Sequence, residues 1–370
     1  MKDFSLYFPS GIHFGRNSLE YLSKAPIPGR RGLIITGKKA MKKSGALDKV
    51  LKYLKRNGKK TAVFEGVEPE VSVETVDAAA GFARKIKPDF IAGLGGGSAV
   101  DCAKAAAVIY KSSKSVCAYL DGDSEFPEKQ PYIIAIPATS GTGAEVTKNA
   151  VLTYTRKNAK ISLRTQKMVP NIVVADPELT MSMTPEITAY TGMDALTHAV
   201  ESFFSLGAND FTRGISFFST GLIMKNFLKS CKGDRTGRYN MMLASLTAGL
   251  AFANAGLGAV HGIGHPVGAV CKAGHGEINA VLLPFVVEMN RKKEKKRAAE
   301  LDSLAGMRFE RAVLRLVRKS RLSGRLSGLC PDVSVKITEI LEKMVYTGSM
   351  SYNPVKMNRK KAEEIIKKAV

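Results

Sequence analysis

Tryptophan is absent from this 370-residue chain, and aromatic residues of all kinds make up only 7% of it. Cysteine is scarce. Cys102, Cys117, Cys231, Cys271 and Cys330 are odd in number, widely spaced and without a C-x-x-C pair. That pattern excludes a disulfide framework and a zinc ribbon, and it suits reduced thiols. No apolar run reaches the ~18 residues a membrane-spanning helix needs. The stretch Met1 to Gly15 alternates apolar and polar residues and has neither the basic start nor the apolar core of a signal peptide. A cytoplasmic protein without a membrane partner is therefore expected. Acidic residues are few as well: 33 against 56 basic ones, a formal charge of +23. The basic residues are dispersed, and no strand interleaves them with aromatics as an RNA-binding sheet does. A nucleic-acid-binding role rests on charge alone and is kept as a distant alternative. The favoured reading is a solvated lysine-rich surface with local help for a phosphorylated cofactor.

What is present divides into two halves, as 370 residues predict. The first half alternates strands and helices. Gly32 to Gly37, Thr61 to Phe64, Asp89 to Leu94 and Pro131 to Pro137 read as buried strands. Ala46 to Asn57, Val73 to Ile86 and Ala99 to Tyr110 read as helices between them. Repeated βα units imply a mostly parallel sheet covered on both faces. After about residue 180 the pattern is helical: Pro185 to Leu206, Thr212 to Ser230, Tyr239 to Ala255, Gly276 to Lys292, Lys296 to Ser320, Val333 to Val345 and Arg359 to Ala369. The stretch Arg291 to Arg325, with 13 basic and four acidic residues, reads as a solvated helical face.

Histidine is the rarest informative residue. The chain has five, and four of them fall between 198 and 275. Asp194 and His198 stand at i and i+4 of a predicted helix and so share a face. With His261 and His275 they form a candidate metal centre. Two polar loops follow predicted strands. Gly93-Leu94-Gly95-Gly96-Gly97-Ser98 lets backbone approach a diphosphate, with a helix N-terminus behind it. Thr139-Ser140-Gly141-Thr142-Gly143 offers three hydroxyls for phosphate or carboxamide. Ligands of open α/β sheets bind beyond the carboxyl ends of strands, so the two loops support one another.

Five motifs together, in order, resemble the iron-containing (group III) alcohol dehydrogenases of the dehydroquinate synthase-like superfamily. They are Gly95 to Lys104, Pro137 to Thr147, Gly192 to Glu201, His261 to Pro266, and Gly274 through Pro284. The resemblance implies an N-terminal Rossmann-like α/β domain (1–180) that binds the dinucleotide. It also implies an all-α C-terminal domain (181–370) that holds metal and catalytic groups, with nicotinamide facing the metal in a cleft. It assigns Asp194, His198, His261 and His275 as metal ligands and His265 as a further active-site histidine. The dinucleotide contacts it implies are Gly95, Gly96, Gly97, Ser98, Thr139, Thr142, Asn149 and Lys160. It retains an acid near the cofactor at Asp101, and Ser140 joins the same polar loop. The chain departs from the family at Ala138, Glu70 and Val71, across Arg308 to Asp332, and in a loosened Thr347 to Pro354.

The activity implied is hydride transfer between a small primary alcohol or diol and NAD(P), with the aldehyde as the other partner. A glycerol dehydrogenase or hydroxyacid-oxoacid transhydrogenase-like cousin is the alternative. The family implies Fe2+; the affinity order of divalent metals favours Zn2+. An alcohol is acidified on such a metal, and His265 is placed to relay the proton. Glu201, one turn past His198, reads as a carboxylate that supports a ligand, and His13 as structural. Cofactor preference is expected to depart from the common family pattern. Where an acid after the first strand would repel a 2′-phosphate, this chain has Gly37, followed by Lys38, Lys39, Lys42, Lys43 and Ser44. NADP(H) is expected over NAD(H). A homodimer or higher homo-oligomer is the expected assembly.

Overall fold

The computed structural model describes residues 3–157 and 159–370. In chain order the first half runs β1 (Gly11–Phe14), β2 (Arg31–Gly37), α1 (Ala40–Lys43), α2 (Ala46–Arg56), β3 (Lys60–Val67), α3 (Val73–Ile86), β4 (Phe90–Gly95), α4 (Gly97–Ile109), α5 (Val116–Leu120), β5 (Tyr132–Pro137), β6 (Asn149–Tyr154), β7 (Ala159–Arg164) and β8 (Ile172–Ala175). Six strands form one sheet in the order β1-β8-β5-β4-β2-β3, with every neighbouring pair parallel. The short strands β6 and β7 pair antiparallel as a separate hairpin.

The central strands are apolar at consecutive positions because both faces of the sheet are buried. Leu33 and Ile35 of β2 enter one core with Ile91 and Ile133, while Ile34 enters a second with Phe90, Leu94, Ile134 and Ile136. Helix α4 is buried from Ala99 to Ile109 and lies tight on β4. Gly93 allows this approach: a Cβ there would stand 2.9 Å from the Val100 Cα.

The second half is helical: α6 (Pro185–Phe204), α7 (Asp210–Cys231), α8 (Arg235–Ala255), α9 (Ala259–Cys271), α10 (His275–Arg291), α11 (Lys295–Ala305), α12 (Phe309–Lys319), α13 (Val333–Glu342) and α14 (Arg359–Ala369). These helices share one core that includes Met193, Leu196, Phe227, Val260, Leu283, Phe309 and Ile366. The chain divides into two compact units. One is Phe8–Thr139 with Gly143–Ser182; the other is Met183–Val370 with Ser140–Thr142 and the N-terminal stretch to Tyr7. The fold class is the expected one, an α/β half with a parallel sheet followed by an all-α half. No single helix among the described residues is long and apolar enough to cross a membrane.

Three local expectations are corrected. Lys296 to Ser320 is two helices, because Gly306 adopts φ 67° and ends α11 as a left-handed cap. His261 to Pro266 lies inside α9 despite its glycines and an internal proline. Packing there outweighs helix propensity: a Cβ at Gly262 would stand 2.2 Å from Met350 Cγ. Arg291 is not part of a solvated face. It makes two 2.7 Å hydrogen bonds to Asp302 and two to Glu310, and so ties α10 to α11 and α12.

Candidate functional site

Helix α6 is started firmly. The Thr184 hydroxyl accepts the Ile187 N–H at 3.2 Å, and Pro185 takes the first helical position, where its missing N–H costs nothing. The helix then presents Asp194 and His198 on one buried face. Helix α9 contributes His261, and α10 begins at His275. Asp194 Oδ1 stands 3.8 Å from His198 Nε2, 3.7 Å from His261 Nε2 and 3.7 Å from His275 Nε2. Asp194, His261 and His275 make the tightest group, with donor atoms within 4.8 Å of one another. His198 stands beside that trio, against Asp194.

Each buried imidazole is oriented from behind. His198 Nδ1 faces the Gly141 carbonyl oxygen at 3.2 Å. His261 Nδ1 faces Glu201 Oε2 at 2.5 Å, and Glu201 Oε1 accepts the Val260 N–H at 2.6 Å. An Nδ1–H donated outward leaves the Nε2 lone pair for the interior of the cluster. The His198 ring is also sandwiched, 4.4 Å from the Phe252 ring and 4.6 Å from that of His261. His265, half-buried, stacks its ring 5.1 Å from that of His275.

The cluster attracts positive charge. Burial alone would raise Asp194, but His198, His261 and His275 outweigh it and hold the carboxyl far below its ordinary range. Burial would lower His261, but Glu201 and Asp194 overcome this and raise it to about 9. His198 is lowered to about 4, chiefly by burial. One carboxylate and three imidazoles, buried and aimed inward, are a donor set that fits a divalent transition metal.

The other candidate residues gather at the carboxyl ends of β2, β4 and β5. Gly95 takes φ +144° as β4 passes into α4, a conformation open to glycine. Gly96 and Gly97 bring the chain to the α4 N-terminus, where no side chain caps the helix. Ser98 Oγ accepts the Glu70 N–H at 2.9 Å, and the Glu70 carboxylate is ion-paired with Lys160 on β7. Thr139 follows β5 and lies against Gly96. Asn149 opens β6. Ser140 is buried, and its hydroxyl finds no hydrogen-bond partner among the described residues. Gly37 ends β2, with Lys38 and Lys39 exposed after it. Asp101 faces inward: one carboxylate oxygen lies 3.1 Å from Lys104 Nζ, and the other accepts the Val151 N–H at 2.9 Å. Its visible work is to hold β6 against α4.

Sequence reasoning passed over Asn279. Its Nδ2 donates to Asp194 Oδ1 at 2.9 Å and lies 3.1 Å from His275 Nε2. The available signal was its place four residues after His275, which repeats the spacing of Asp194 and His198.

Residues 9–177 match the family model for iron-containing alcohol dehydrogenase, and residues 188–370 match the model for the C-terminal part of the Fe-containing alcohol dehydrogenase family. An NADPH-dependent butanol dehydrogenase of Clostridium saccharobutylicum is 34% identical over 372 residues, covering 96% of this chain and 95% of that protein. The crystal structure of a 1,3-propanediol oxidoreductase superposes with a TM-score of 0.94 at 31% identity, over 100% of both chains. That of a sulfoacetaldehyde reductase from Bifidobacterium kashiwanohense, in complex with NAD+, superposes with a TM-score of 0.90 at 26% identity, over 100% of this chain and 99% of that one. The chain belongs to the iron-containing alcohol dehydrogenase family and is an oxidoreductase.

Proposed function

We propose that the chain interconverts a small primary alcohol or diol and its aldehyde, exchanging hydride with NADP(H) in preference to NAD(H). The observation that carries the proposal is the Asp194 carboxylate with three imidazole Nε2 atoms 3.7–3.8 Å away. Asp194, His198, His261 and His275 would hold a divalent cation, with ferrous iron the family's choice. When bound, that cation supplies the Lewis acidity that lowers the pKa of an alcohol by several units.

The remaining roles belong to the chain itself. Glu201 and the Gly141 carbonyl keep His261 and His198 in the tautomers that aim Nε2 inward. His265 is half-buried beside His275 and carries the alcohol proton toward solvent. The glycine turn Gly95 to Gly97, Ser98 and the α4 N-terminus receive the cofactor diphosphate. Thr139, Ser140, Thr142, Asn149 and Lys160 supply further polar contacts. Asp101 supports this wall through Lys104 and Val151.

Preference for NADP(H) rests on Gly37, Lys38 and Lys39, with Lys42, Lys43 and Ser44 exposed close by. No carboxylate follows β2 to repel a 2′-phosphate. The names of the relatives carry both cofactors, NADPH in one and NAD+ in another, so the residues after β2 are the basis of the choice. Metal analysis of the purified protein, combined with a panel of alcohols assayed with each cofactor, tests the whole reading. Bound metal, loss of turnover on chelation and a higher kcat/KM for NADP(H) are expected. Alcohol oxidation undiminished in fully metal-free protein sinks it.

A further inference from the structure

Resting on the metal reading above, we propose that Asn279 is a fifth protein donor to the same cation, through its carboxamide oxygen. Helix α10 presents His275 and Asn279 at i and i+4, the spacing by which α6 presents Asp194 and His198. Each spacing puts two side chains on one helix face. The Asn279 carboxamide reaches the middle of the cluster. Its Nδ2 lies 2.9 Å from Asp194 Oδ1, 3.1 Å from His275 Nε2 and 3.5 Å from His261 Nε2. Donor atoms that share one cation at ~2.1 Å stand about 3.0–3.4 Å apart. The end of this carboxamide therefore stands at ligand-to-ligand distances from three candidate ligands.

Its other end is unsatisfied. Asn279 is fully buried, and Oδ1 has no hydrogen-bond partner among the described residues. A half-turn of the carboxamide exchanges oxygen and nitrogen within the same volume. Space for the group is built in across the helix pair, since a Cβ at Gly264 would stand 2.9 Å from Oδ1. A cation repels an N–H dipole and attracts a carbonyl oxygen, so metal binding turns the oxygen inward.

The consequence concerns which metal is held. Zinc is satisfied by four donors in a tetrahedron. Ferrous and cobaltous ions accept five or six, and a hard carbonyl oxygen adds to their side of the balance. Asn279 is thereby a residue that favours Fe2+ over Zn2+ at this centre.

The test titrates Co2+, Zn2+ and, under anaerobic conditions, Fe2+ into the native chain, Asn279→Ala and Asn279→Asp against a competing chelator. The visible spectrum of the Co2+ form reports coordination number. The native chain should show the weak bands of a five-coordinate ion, and Asn279→Ala the intense bands of a tetrahedral one. Asn279→Ala should bind Fe2+ ~10–100-fold more weakly and Zn2+ with a smaller loss. Asn279→Asp should keep the five-coordinate spectrum and bind at least as tightly, which keeps the proposal testable if the alanine variant does not fold. Native affinity and spectrum in Asn279→Ala overturn the proposal. So does weaker binding with an unchanged spectrum, which would make Asn279 only a hydrogen-bond donor to Asp194. Weaker binding in Asn279→Asp also overturns it. A native chain that binds none of the three ions overturns the metal reading itself, a separate and recognisable failure.

Discussion

Asp101 and Asp194 are both buried carboxylates on well-packed helices, yet their neighbours differ in kind. Asp101 has its counter-charge inside the fold: Lys104, wholly buried on the same helix, places Nζ 3.1 Å away. Lys104 also donates to the Ala144 carbonyl at 2.7 Å and to the Thr147 hydroxyl at 2.8 Å. Asp194 has three imidazoles and a carboxamide, with no lysine or arginine among its printed partners. Burial of a carboxylate therefore does not by itself mark a site. A carboxylate neutralised by a fixed ammonium is a structural tie. One ringed by lone pairs draws a cation from outside.

Breaking the Asp194 side should have the largest effect. His261→Ala is expected to abolish turnover and lower metal content while the circular dichroism spectrum stays native. Metal affinity should fall by more than the ~10–100-fold that loss of a supporting residue alone produces. Full occupancy and rate in this variant would remove His261 from the centre.

Breaking the Asp101 side should give the opposite signature. Lys104→Met leaves an uncompensated buried carboxylate, a change that costs about 3–5 kcal/mol. Denaturant unfolding should show that loss, with metal content unchanged in the folded fraction. Equal stability in the two proteins would mean that Lys104 does not neutralise Asp101.

His265→Ala sharpens the comparison within the helical half. It should keep its metal but lose rate by ~10²-fold, as removal of a general acid-base group does. An unchanged rate leaves His265 with a packing role only. Gly37→Asp probes the α/β half by adding a charge where none stands. The site has room, since the nearest atom to an added Cβ is Val67 O at 3.5 Å. A preference of ~10-fold for NADP(H) should invert, consistent with one charge-assisted contact. A native preference for NAD(H) would defeat the assignment of Lys38 and Lys39.

The smallest effect is expected at Glu145, buried near Lys104, whose carboxyl is raised to about 7, mainly by burial. A raised folded-state pKa contributes stability below the ordinary value of 4.5 that is lost as pH rises through about 7. Glu145→Gln removes the titration. The variant should melt higher than the native protein at pH 8, with the gain gone at pH 5. A gain that is the same at both pH values would show that ionisation of Glu145 is not its source.

Much of the architecture was legible because local and global requirements agree. Ile34 and Ile35 are apolar in succession since the sheet is covered on both faces, so the β2 run read correctly as a buried strand. Val73 to Ile86 and Arg359 to Ala369 were read with the bounds of α3 and α14, each with a side-chain cap at its start. Helix α9 was not legible, because three glycines and Pro266 argue against a helix. Only close packing, as at Gly262 against Met350, shows why they are there. Gly306 was misread in the other direction: its left-handed turn ends a helix that periodicity alone would have continued.

By itself, the sequence determined the fold class, the family and the short candidate roll of histidines and glycines, because these depend on residue type, spacing and order along one chain. Tertiary structure alone decided which groups face each other across elements. Glu201 reaches His261, Asp101 turns away to Lys104 and Val151, and Asn279 enters the ring of donors with one oxygen left unsatisfied. Those pairings join residues 50 to 85 positions apart. No local periodicity encodes them; they follow from how the helices pack.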